Sequence, residues 1–191
     1  MKKEIQRVPP EPGTGYPGYP LSGKRVLMVI ASSQFRDEEY QKPKQILEAD
    51  GAKVTTASSS LNEAVGMLGL KVKPDILLKD ARMEQYDAVV FVGGMGATEY
   101  WDNPVAHNLA KQALQSGKPT SAICLAPMTL ANAGLLKGKK ATIWKDVAGD
   151  FKTKGVVYTG RPVEQDGKLI TGSGPDAAEA FGKALAEALK S

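Results

Sequence analysis

The chain of 191 residues carries 25 Lys and Arg against 21 Asp and Glu, a formal net charge of +4. That length, with 42% hydrophobic residues, suits one domain with a substantial core. The charge is too mild and too well mixed for a nucleic-acid surface, and no apolar run approaches membrane-spanning length. Even the densest basic cluster, Lys137, Lys139, Lys140, Lys145, Lys152 and Lys154, is interrupted by Asp146 and Asp150 and lacks an accompanying arginine or aromatic pattern. A single cysteine excludes an internal disulfide, and one Cys with one His does not make a zinc site. The polar N-terminus has no apolar signal segment, so the expected setting is cytoplasmic, without cofactor, metal, nucleic acid or membrane.

Residues 1–22 are rich in Pro and Gly and cannot sustain a helix or an inner strand. They read as an extended arm or a disordered tail ahead of a domain spanning 23–191, with Tyr16 and Tyr19 as the anchors of an arm. The domain opens on a continuous apolar run at 25–31, the mark of a central strand covered on both faces. A helix follows from Asp37 to about Asp50, with Tyr40, Pro43, Ile46 and Leu47 as its stripe and Gly51 as its stop. Strands are expected at 53–57 and 87–92, separated by a less regular region with a short excursion at 72–78. Asn103 and Pro104 read as cap and first turn of a helix over about 105–115. Short strands at 141–144, 155–158 and 168–171 flank a helical piece at 147–153. A final amphipathic helix buries Phe181, Leu185 and Leu189. Alternating strands and helices with wholly apolar central strands mean a mostly parallel α/β sheet with helices on both faces.

Residues 118–134 combine a short apolar run with a helix rich in Ala and Leu, and Cys124 sits at the junction. Ala122 and Ala126 flank it, and Pro127 suits the first turn of the helix. A thiol there stands on a nucleophile elbow, where a helix N-terminus favours the thiolate. A buried structural cysteine fits the same residues equally well. In parallel sheets ligands meet the carboxyl ends of the strands, so the loops after Ala31, after Val92 and at Cys124 should share one rim. Asp37, Glu38 and Glu39 are the candidates to activate the thiol, although three acids in a first turn also complement the helix dipole. The glycine pair Gly93 and Gly94 and the Leu125 amide could supply oxyanion donors. His107, early in its helix, reads as a surface residue.

Taken together, several stretches resemble the DJ-1/PfpI (ThiJ/PfpI) superfamily, which shares the class I glutamine amidotransferase-like fold. They are the apolar run from Arg25, Glu39 four residues before Pro43, the strand from Tyr86 into Gly93 and Gly94, the Ala-Ile-Cys elbow, and the Ala-Gly-Leu-Leu-Lys-Gly stretch after it. The resemblance covers about 23–189. It implies a flavodoxin-like three-layer sandwich assembled as a homodimer or higher homo-oligomer. It also implies a reactive Cys124, a protonated Glu39 donating a hydrogen bond to the thiolate, and oxyanion amides at Gly94 and Leu125. The sequence departs from the family pattern around the pocket: Leu125 replaces a His that many members carry, and Ala126 a Gly. Arg36 replaces an acid, Met67 and Leu68 a Lys-His pair, and Trp144 a His or Tyr.

Leucine transfers no proton, so peptidase activity is disfavoured. The expected function is action on small reactive carbonyls, glyoxalase- or hydrolase-like, through Cys124 and Glu39. The partner is then a small-molecule electrophile or an oxidant. The alternatives are a non-catalytic redox or stress-response protein using oxidation of Cys124, and a chaperone-like scaffold.

Overall fold

Strands without a polar face must be covered on both sides, and this requirement organises the molecule. In the computed structural model, which describes residues 18–190, β1 (Arg25–Val29) leads through α1 (Asp37–Ala49) to β2 (Lys53–Ser58). A hairpin of β3 (Ala64–Val65) and β4 (Lys71–Val72) follows, then β5 (Ile76–Leu77), β6 (Ala88–Phe91), α2 (Pro104–Gln115), β7 (Thr120–Ile123) and α3 (Pro127–Asn132). The remainder is β8 (Lys140–Ala141), α4 (Ala148–Thr153), β9 (Val157–Tyr158), β10 (Val163–Asp166), β11 (Leu169–Gly172) and α5 (Ala178–Lys190).

Seven strands form the main sheet in the order β10-β11-β7-β6-β1-β2-β5. Every pair in it is parallel except β10 with β11. All of β6 and β7, and β1 beyond Arg25, are buried. The polar members of β7 are satisfied locally: Ser121 donates to the Val89 carbonyl at 2.9 Å and Thr120 to that of Lys118 at 3.1 Å. Helices α1 and α5 pack on each other, as do α2 and α3. Gly182 permits the first of these contacts, since a Cβ there would stand 2.9 Å from Pro43 Cα. Phe181, Leu185 and Leu189 of α5 are buried as expected. The result is the expected flavodoxin-like α/β sandwich.

From β1 the chain first moves outward to β2 and β5, then returns to β6 on the other side of β1. This reversal opens a crevice at the carboxyl ends of the central strands. The ends of β1, β6 and β7, neighbours in the sheet, lie along it.

Several elements differ from the sequence expectation. The strand expected at 141–144 shrinks to Lys140–Ala141 because the Trp144 N–H leaves the ladder and donates to the Cys124 carbonyl at 2.9 Å. Its partner β9 joins it in a separate two-stranded piece instead of the main sheet. β10 was not expected at all, since Val-Glu-Gln-Asp has one apolar residue; as an antiparallel edge it needs only one. The excursion at 72–78 resolves into the end of a hairpin and β5, which adds to the sheet edge. Of the arm, residues 1–17, with Tyr16, lie outside the described residues. Leu21 is fully buried and its N–H donates to the Asp50 carbonyl at 2.8 Å. No helix among the described residues is long and apolar enough to cross a membrane.

Candidate active site

Cys124 follows directly on β7 and has a φ of +65°, a left-handed conformation that costs a non-glycine residue about 1–3 kcal/mol. Backbone hydrogen bonds hold it there. Its N–H donates to the Gly172 carbonyl at 2.8 Å, its carbonyl accepts from Trp144, and Ala126 N–H closes the turn onto Ile123 at 3.1 Å. Pro127 then starts α3 without wasting a donor. The turn is an elbow, and its thiol-bearing residue is 8% exposed.

The three acids at the start of α1 have three different surroundings. Asp37 turns to the β3–β4 hairpin and accepts from Leu68 N–H at 2.8 Å and Leu70 N–H at 2.7 Å. Glu38 pairs with Arg36 through two bonds, at 2.7 and 3.2 Å. Glu39 turns inward and is 0% exposed. The Cys124 thiol, the positive charge of Arg36 and the Gly93 amide favour its ionised form, yet neither thiol nor amide meets either carboxyl oxygen with full hydrogen-bond geometry. Burial outweighs all three and pushes the Glu39 carboxyl up to about 8, so it holds its proton at neutral pH.

Burial also pushes the Cys124 thiol up, to about 12, with the negative charge of Glu39 as the second cause. The Gly94 and Leu125 amides pull it down. When Glu39 is neutral the repulsion vanishes, so thiol and carboxyl titrate as a pair. Within that pair, the form with charge on sulfur and the proton on Glu39 is the nucleophilic one.

Gly93 makes this proximity possible. A Cβ at that position would collide with Glu39 Oε1 and lie 2.5 Å from both Cys124 Cβ and the Ile123 carbonyl oxygen. Gly94 has a φ of +105°, and a side chain there would run into the Arg36 amide. Arg36 N–H in turn donates to the Gly93 carbonyl at 2.9 Å, tying the start of α1 to the glycine pair.

The other rim positions singled out in the sequence each have defined partners. The half-buried Arg36 guanidinium is occupied by Glu38. Met67 accepts the Met95 N–H on its sulfur at 3.4 Å. Trp144 packs its ring on Gly174, where a Cβ would come within 2.9 Å, and donates its indole N–H to Asp146 at 3.1 Å. Leu125 is 8% exposed and brings an amide but no titratable side chain.

Two residues near the elbow, Trp101 and Asn132, were not picked out from the sequence, and a third, His107, was read as a surface residue. Trp101 donates its indole N–H to the Leu125 carbonyl at 2.9 Å. The Trp101 carbonyl lies 2.7 Å from His107 Nε2 and 3.1 Å from Asn132 Nδ2. His107 is therefore half-buried and engaged, not the surface residue expected of an early helix position. The nearby capping pair Asn103 and Pro104 was the only legible signal of this arrangement. Among the described residues, no group of three or more His, Cys, Asp or Glu could hold a metal ion.

A strained cysteine at the carboxyl edge of a parallel sheet, beside a buried carboxyl, places the molecule among α/β proteins with a cysteine elbow. The DJ-1/PfpI family model matches residues 24–188, and the chain belongs to the DJ-1/PfpI family. It is 41% identical over 173 residues to an uncharacterised protein of Methanocaldococcus jannaschii, covering 89% of this chain and 84% of that one. It is 29% identical to the deglycase PfpI of Pyrococcus furiosus, covering 86% of this chain and 99% of that one. The crystal structure of a ThiJ/PfpI domain protein from Brachyspira murdochii superposes with a TM-score of 0.84 at 30% identity, over 87% of this chain and 98% of that one.

Proposed function

We propose that the chain is a cysteine-dependent enzyme acting on small reactive carbonyl compounds, with Cys124 as nucleophile and Glu39 as proton carrier, working as a homodimer or higher oligomer. The observation that carries this reading is the fully buried Glu39 carboxyl beside the elbow thiol, held protonated near neutral pH. Relatives named deglycases support the carbonyl class of substrate.

For a 2-oxoaldehyde, sulfur bonds to the aldehyde carbon and the carbonyl electron pair moves to oxygen. The Gly94 and Leu125 amides hold the developing oxyanion, and Glu39 supplies its proton. The Glu39 carboxylate then removes the proton from the former aldehyde carbon and returns it to the neighbouring carbon, while the hydroxyl proton passes from the first carbon's oxygen to the second's. The aldehyde carbon is oxidised and the ketone carbon reduced, so no outside electron acceptor is needed. Water cleaves the resulting thioester, releasing a 2-hydroxy acid and the free thiol. Leu125 can take part only through its backbone, and no peptidase pair forms with Cys124.

The test is lactate production from methylglyoxal. Cys124→Ala should reduce it to background while circular dichroism stays native; undiminished turnover would exclude the proposal. A second reading, oxidant sensing, draws on the same pair, because a neutral carboxyl can donate to the oxygens of an oxidised sulfur. Under mild peroxide, the thiolate would gain oxygen as peroxide is reduced to water. Intact mass should then show added oxygen that Cys124→Ala lacks, and no mass gain would dismiss this reading.

A further inference from the structure

The elbow's backbone carbonyls can be accounted for one by one, and one of them differs from the rest. The carbonyls of Ile123, Cys124 and Ala126 accept from the backbone N–H groups of Ala126, Trp144 and Thr129. The Leu125 carbonyl takes its bond from a side chain, the indole N–H of Trp101, at 2.9 Å. The N–H of this same residue acts on the Cys124 thiol together with that of Gly94. Trp101 is itself pinned, because its carbonyl meets His107 Nε2 at 2.7 Å and Asn132 Nδ2 at 3.1 Å. Asn132 also donates to Asp102 at 3.0 Å.

The position of Trp101 in the chain adds to this. A 3-10 helix of two turns, Met95–Tyr100, begins immediately after Gly94 and ends immediately before Trp101. One short rigid span therefore carries an oxyanion amide at its start and, at its end, the indole that fixes the other oxyanion amide's residue. We infer that Trp101 is a positioning residue that sets the spacing of the Gly94 and Leu125 amides, with His107 and Asn132 holding Trp101 in place. This rests on the reading of Cys124 as a nucleophile. Removing the indole N–H frees the Leu125 unit to turn, and the amide then stabilises both the thiolate and the oxyanion less well. His107, the sole histidine, acts here as a brace and transfers no proton.

The experiment compares alkylation of Cys124 by iodoacetamide across pH in the full chain and its variants, alongside thermal melting. Trp101→Phe keeps an aromatic ring and loses the N–H. It should slow alkylation about tenfold at any pH below both thiol pKa values, corresponding to a profile displaced upward by about one unit. His107→Ala should slow alkylation to a lesser degree, and His107→Gln, which restores a donor, should recover it. These two variants keep the test open if Trp101→Phe fails to fold. A purely structural role would lower the melting temperature and leave the profile in place. Variant profiles that coincide with the parent's overturn the inference, and so does a parent thiol inert at every pH. Alkylation needs no turnover, so a parent that alkylates normally but forms no lactate counts against the proposed function alone.

Discussion

Glu39→Gln is expected to abolish most turnover while removing a pH dependence from the stability of the fold. The Glu39 carboxyl has an ordinary value of 4.5 and is raised to about 8 in the folded chain. The folded state therefore keeps a proton that the unfolded state has already released across this window. Its contribution to stability is full below 4.5, falls as pH rises toward 8, and is gone above it. At ~1.4 kcal/mol per pH unit the fall is on the order of several kcal/mol. Glutamine has no proton to lose, so urea midpoints of the variant should vary much less than the parent's between pH 5 and pH 8. Its amide can still donate to a thiolate, and alkylation of Cys124 should persist. Lactate formation, which needs the proton to leave and return, should drop about 10²–10⁴-fold. A variant that retains turnover would remove Glu39 from the chemistry.

Gly93→Ala should damage both the fold and the site through a single methyl group. Its Cβ would meet the Glu39 carboxyl, Cys124 Cβ and the Ile123 carbonyl together, and a backbone carbonyl cannot step aside cheaply. Overpacking of this kind costs about 3 kcal/mol, which lowers the melting temperature of a domain this size by roughly 6–12 °C. Activity should be lost as well, because relief of the clash must separate the carboxyl from the thiol. Gly149→Ala is the control: it lies in α4, and its Cβ would meet nothing within 4 Å. There the better helix former should stabilise by up to ~1 kcal/mol. Equal effects at the two positions, measured by thermal melting, would contradict this account of the site.

Much of this arrangement was legible in the residues, and the reason is local. Apolar runs at β1 and β6 can only be central strands, and the Cys124 turn is announced by its small neighbours and Pro127. The glycine pair was readable as close approach, though not what approaches. Among Asp37, Glu38 and Glu39, consecutive in sequence, choosing the inward carboxyl depended on which direction α1 faces, and that is set by packing against the sheet. Short edge elements were the least readable. β10 has too few apolar residues to register, and β8 ends early because Trp144 donates to the elbow 20 residues upstream. The Trp101 brace joins residues 24 apart through one side-chain bond, and no periodicity encodes such a contact.

The left-handed backbone at Cys124 has a consequence for how this chain can change over time. Glycine would occupy that conformation with less strain than cysteine does, by about 1–3 kcal/mol before the lost packing of the thiol is counted. Mutational drift free of any demand for sulfur would therefore run downhill toward glycine. A lineage that keeps the thiol does so against the preference of its own main chain.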